Sequence, residues 1–150
     1  MIIHFWELPE KRNYVILKEE FKQKVLKQIQ KKDCFIKLFN KIKDRKVSIQ
    51  EIKFISKKEN LHLISIEKNI LWIGGKNSKG LSNPKFPINF RTKNGARFIA
   101  AIVNDGTLTK ENKNSYGRLM YDNFDSSLRE SVINDYLEIF GGKKEEVAFR

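Results

Sequence analysis

Between Arg97 and Leu108 the chain holds an unbroken apolar run, Phe98-Ile99-Ala100-Ala101-Ile102-Val103, that stops abruptly at Asn104-Asp105-Gly106. Six consecutive apolar residues leave a helix no polar face, so this one is expected to be covered on all sides. The small pair Ala100 and Ala101 permits a second backbone to approach closely. Gly106 ends the helix and leaves Asp105 on its last turn, where the helix dipole disfavours a negative charge. A carboxylate in that place has little to offer stability unless a cation lies beside it. The plain alternative is a core helix with a glycine C-cap.

The flanking sequence gives the run a context. Thr107-Leu108-Thr109 reads as a short strand, Lys110 to Ser115 as a polar turn and Tyr116 to Tyr121 as the hairpin partner. Asn123-Phe124-Asp125 then offers N-cap chemistry for a helix that carries Leu128, Val132, Tyr136, Leu137 and Phe140 on its buried side and closes at Gly141-Gly142. Capping accounts for Asp122 and Asp125. Glu146 to Phe149 reads as a further strand.

The apolar helix ending in Asp105-Gly106, followed by a hairpin, a helix and a strand, resembles the LAGLIDADG unit of homing endonucleases and their relatives. Tyr116 to Asn123 is similar to the second strand of that unit and its exit, and Asn83-Pro84-Lys85-Phe86-Pro87 to the lead-in of the motif helix. Val103 and Asn104 depart from the motif's letters. The resemblance implies that Ala100 and Ala101 mediate helix pairing and that Asp105 is the catalytic residue and a ligand for Mg²⁺ at the scissile phosphate. One motif per chain implies a homodimer. It also implies a hairpin lying along duplex DNA, with Thr107, Thr109, Tyr116 and Arg118 as contacts. A full unit continues with another strand and a closing helix, so the αββαβ order that ends at Arg150 is a partial unit. A fragment, a decayed unit, or a sheet completed by another chain would each account for it.

Charge is the second constraint. The chain has 30 Lys+Arg against 18 Asp+Glu, a net charge of +12, concentrated from Lys18 to Lys58 and from Lys76 to Arg118. Such a field attracts polyanions, although a lysine-rich composition alone also gives it. In the N-terminal half, Ile2 to Trp6 and Tyr14 to Leu17 read as strands. Phe21, Val25, Leu26 and Ile29 mark one helical stripe, and Phe35, Leu38, Phe39 and Ile42 a second. Ser48 and Glu51 form a capping-box pattern ahead of Ile49, Ile52 and Ile55, and a short helix follows from Ser65 to Ile70. Small lysine-studded helices in this order resemble a helix-turn-helix module, which places Lys37, Lys41, Lys43, Arg45 and Lys46 against DNA phosphates. The same lysines also fit an ordinary solvated helix face.

These readings divide the chain into a helical module at 1–73, a basic linker at 74–93 rich in Gly, Asn, Ser, Pro and Lys, and the LAGLIDADG-like unit at 94–150. Gly74 to Gly80 lacks the order of a phosphate-binding loop, and a basic flexible linker that tracks a phosphate backbone and a merely solvated connector fit it equally. His4 and His62 stand isolated, and Cys34 is without metal-ligand spacing. Trp6 and Trp72 read as core or interface residues. No apolar run is long enough for a bilayer and no leader pattern precedes the first strand, so a cytoplasmic protein is expected. The expectation is an α+β DNA-binding protein related to homing endonucleases, cleaving duplex DNA with Mg²⁺ if active. A non-catalytic DNA-binding regulator and an RNA-binding or structural fragment are the alternatives.

Overall fold

The computed structural model describes residues 1–30, 36–44, 46–108 and 119–147. It is α+β and divides into two compact units, Ile3–Pro87 and Met1–Ile2 with Ile88–Arg150. Among the described residues no helix is long and apolar enough to cross a membrane.

In the N-terminal unit, β2 (Tyr14–Leu17) is a central strand because its alternate residues Val15 and Leu17 are buried. It pairs antiparallel with β3 (Val47–Ser48) on one side and with β4 (Ile70–Gly74) on the other, and β5 (Leu81–Ser82) extends β4 into the sheet order β3-β2-β4-β5. Val15 lies opposite Val47 and Ile73, which fixes the register with all three in the core. Four helices cover this sheet: α1 (Glu19–Ile29), α2 (Ile36–Asp44), α3 (Ile49–Glu59) and α4 (Leu63–Glu67). Val25, Leu26 and Ile29 from α1, Ile42 from α2, Ile49, Ile52 and Ile55 from α3 and Ile66 from α4 close the core over the strands.

The capping box is formed as read. Ser48 Oγ accepts from the Glu51 N–H at 3.2 Å, and the Glu51 carboxylate accepts from the Ser48 N–H at 2.9 Å. Asn60 ends α3 in the left-handed conformation at φ 53°, a position that asparagine tolerates in place of glycine.

Four expectations for this half are corrected. Only Ile2–Ile3 of the segment Ile2 to Trp6 forms a strand, β1, and Phe5–Glu7 is a 3-10 turn. The cause is Glu67, whose buried carboxylate accepts from the Phe5 N–H at 3.1 Å and from His4 Nδ1 at 3.1 Å. His4 is therefore engaged and not isolated, and its ring stacks on Trp6 at 4.3 Å. The short helix lies at Leu63–Glu67, because Ile70 is taken by β4 opposite Leu17. The stretch 74–93 is not a plain linker, since it contains the end of β4, the β4–β5 turn, β5 and β6 (Ile88–Asn89), and the boundary between the units falls after Pro87.

In the C-terminal unit, β1 pairs with β6, and the Phe90 N–H donates to the Met1 carbonyl at 3.0 Å. The motif helix α5 (Lys93–Asp105) starts at Thr92, whose hydroxyl accepts from the Gly95 N–H at 3.0 Å. It leads straight into β7 (Gly106–Leu108), paired with β8 (Leu119–Tyr121) in the register Gly106 to Tyr121. Asp125 caps α6 (Ser126–Phe140) by accepting from the Ser127 hydroxyl at 2.6 Å and from the Ser127 and Leu128 N–H groups, and these bonds, the hydroxyl's foremost, hold its carboxyl below the usual range. α5 and α6 pack through Phe98, Tyr136 and Phe140, with Phe98 and Phe140 edge to face at 5.5 Å. Arg97 adds a charged clasp by donating through Nε at 3.0 Å, and through its terminal nitrogen, to Asp135, which is buried on α6. Lys144–Glu146 forms a 3-10 turn where the strand Glu146 to Phe149 is expected, and the end of that strand lies outside the described residues.

Candidate nucleic-acid interface and the Asp105 helix

The excess positive charge belongs to one unit. Ile3–Pro87 holds 20 Lys+Arg against 9 Asp+Glu, whereas the other unit holds 10 against 9. A polyanion would therefore be drawn to the N-terminal unit, by a field that the near-neutral C-terminal unit lacks.

Within that unit the expected phosphate contacts are unequal. Lys41 on α2 is exposed but ion-paired with Glu51, which raises the pKa of the lysine. Partial burial pushes the Glu51 carboxyl up, but its bonds from Lys41 and Ser48 outweigh this and leave it lowered. The capping box and Lys41 thus form one network, and a phosphate would compete with Glu51 for this lysine. Lys43 is exposed on α2. The Lys37 side chain and all of Arg45 lie outside the described residues.

Lys46 is placed differently. Its ammonium donates to the Lys76 carbonyl at 3.0 Å and lies 4.3 Å from the centre of the Trp72 ring. The Trp72 indole N–H donates to the Lys79 carbonyl at 2.7 Å, and the Ser78 N–H and hydroxyl both reach the Gly75 carbonyl at 3.2 Å. These bonds close the β4–β5 turn, Gly75 to Gly80, and leave Lys76, Asn77 and Lys79 exposed on it. Gly80 is needed twice over, since its φ is +65° and a Cβ there would sit 2.3 Å from the indole. The sequence shows Lys76 and Lys79 only as part of a flexible basic linker able to track a phosphate backbone, not as an ordered turn. The signal available was a tryptophan two residues before a Gly-bounded basic stretch.

The C-terminal site stands as follows. Asp105 is exposed at the end of α5, and its carboxylate accepts from Asn123 Nδ2 at 3.1 Å. Gly106 has an ordinary extended backbone at φ −88°; it is glycine because a Cβ would come within 2.4 Å of the Ile102 carbonyl oxygen. Thr107 is exposed on β7, whereas Thr109, Tyr116 and Arg118 lie outside the described residues. Among the described residues no three His, Cys, Asp or Glu side chains gather into a cation site. Asp105 would bring one carboxylate, held by Asn123, to the Mg²⁺ that the resemblance implies, the other coming from the paired helix of a second chain.

The apolar helix is not covered on all sides. Phe98 is buried against α6, but Ala96, Ile99, Ala100 and Val103, at helical spacing on another face, are exposed, with Val103 75% accessible. Ala101 is partly buried. Leu108, Leu119 and Met120 of the hairpin are also exposed. α6 meets only one side of the helix, so an unbroken apolar sequence leaves an apolar stripe in water.

No family model, curated protein or solved structure matches this chain.

Proposed function

We propose that this protein binds duplex DNA through its N-terminal unit. The observation that carries the reading is the division of charge between the two units, an excess of eleven cations on one and of one on the other. A composition bias acting on the whole chain would enrich both units. Binding by neutralised phosphates releases condensed counterions, so affinity falls steeply with salt. With about four phosphates neutralised, the duplex association constant is expected to fall roughly 100-fold between about 50 and about 200 mM monovalent salt. Fluorescence anisotropy of a labelled duplex measures this, and an affinity that is flat over that range overturns the reading.

The exposed stripe on α5 favours a second reading, kinship with homing endonucleases through a paired helix. Two copies joined along Ala96, Ile99, Ala100 and Val103 would cover this stripe and bring two Asp105 carboxylates near each other. Leucine at position 100 fits the single chain, because Ala100 is exposed, but it would hold a partner helix away. Ala100→Leu is thus expected to leave the fold intact and weaken self-association in sedimentation, and any Mg²⁺-dependent nicking of DNA should disappear in Asp105→Asn with duplex affinity kept. An Ala100→Leu protein that self-associates as wild type does removes the paired-helix reading.

A further inference from the structure

Building on the duplex-DNA reading, we propose that the β4–β5 turn is a preformed phosphate-contact surface, on which Lys76 and Lys79 bind the DNA backbone while Lys46 and Trp72 hold the turn in shape. The segment has the composition of a loose linker, yet it is braced from three directions. Lys46 holds the Lys76 carbonyl, the Trp72 indole holds the Lys79 carbonyl, and Ser78 closes the tip onto Gly75. Each bond is made to the backbone of the turn, so the side chains of Lys76 and Lys79 stay exposed.

Two glycines make the arrangement possible. A Cβ on Gly74 would meet the Gly80 Cα at 2.6 Å, and one on Gly80 would enter the indole. The turn therefore folds directly onto Trp72. A cationic loop already ordered before it meets its ligand avoids the entropy of ordering, which a flexible basic segment must lose on binding. This distinguishes the turn from lysines scattered on a helix.

The geometry also favours an intact duplex over an unstacked strand. Single strands are held by open aromatic faces on which bases stack. Trp72 is partly buried, its N–H is engaged with Lys79 and the Lys46 ammonium lies over its ring. The exposed groups of the turn are cationic and amide side chains, suited to phosphates.

The test compares two double variants that remove the same charge from the full chain. Lys76→Gln/Lys79→Gln changes the turn, and Lys57→Gln/Lys58→Gln changes two exposed lysines at the end of α3. The turn variant is expected to bind a labelled duplex at least tenfold more weakly at low salt, with the slope of log affinity against log salt reduced by about 1.8. The α3 variant should stay within about threefold of wild type on the same salt-dependent scale. Gly80→Ala keeps every charge but displaces the turn from Trp72; it should weaken binding and shift tryptophan fluorescence. Equal weakening by both double variants overturns the proposal in favour of net charge alone. Wild-type affinity in the turn variant also overturns it while leaving the duplex-DNA reading intact. Absence of duplex binding in the wild-type protein fails the duplex-DNA reading first, and tighter binding of a single-stranded RNA competitor replaces duplex DNA with another partner.

Discussion

Phe5→Ala is expected to lower the stability of the N-terminal unit by about 4 kcal/mol, the range for deleting a fully buried aromatic side chain. Phe5 is completely inaccessible and packs edge to face on Trp6 at 5.3 Å and on Phe86 at 6.3 Å. Truncation loses the transfer free energy of the ring and leaves a cavity walled by neighbours fixed on separate elements. The backbone bond to Glu67 is retained, so the loss reports packing rather than an orphaned carboxylate. For a domain of ordinary stability this is a large fraction of the total. Both tryptophans, Trp6 and Trp72, lie in this unit, so intrinsic fluorescence during urea unfolding follows it selectively. A loss of less than about 1 kcal/mol would place Phe5 outside the cooperative core.

Phe5 also shows which parts of the fold are legible in the sequence. The Ser48-Glu51 box and the Asp125 cap depend on residues within a few positions of one another, and local pattern finds them. The stripes Val25-Leu26-Ile29 and Ile49-Ile52-Ile55 are legible because burial follows the helical period. The 3-10 turn at Phe5 is not, since the carboxylate that fixes it comes from Glu67, sixty-two residues away. The same holds for Arg97 and Asp135, thirty-eight residues apart, and for the turn closed by Lys46 thirty residues before Lys76. Gly, Asn, Ser and Lys between Gly74 and Gly80 read as a linker because composition records flexibility and does not record an indole on which the glycines can close. Of the candidate site, the helix ending in Asp105-Gly106 is visible in the sequence, and the charge reads as two basic stretches, Lys18 to Lys58 and Lys76 to Arg118, whose division between the units depends on the boundary after Pro87. Which lysines are engaged and which are presented is not.

The motif helix gives the second large effect, because six apolar residues in a row carry no information about which of them meets the core. Phe98 is 5% accessible and sits between Tyr136 and Phe140 of α6, whereas Val103 on another face of α5 is 75% accessible. Phe98→Ala is therefore expected to destabilise the C-terminal unit by about 3 kcal/mol, at the lower end of the range because the ring lies in a small core. Val103→Ala should do nothing of the kind. It removes a β-branched residue from an exposed helical position, where alanine has the higher propensity, so its effect on the single chain should be neutral or slightly stabilising. Amide hydrogen exchange in α5 and α6 reads both: protection should fall by about 100-fold in Phe98→Ala, the equivalent of about 3 kcal/mol, and stay level or rise in Val103→Ala. Equal losses in the two variants would mean that the exposed stripe is packed as firmly as the Phe98 face. A loss in Val103→Ala that grows with protein concentration would instead assign that stripe to a second copy of the chain, since only a contact between molecules depends on how many of them are present.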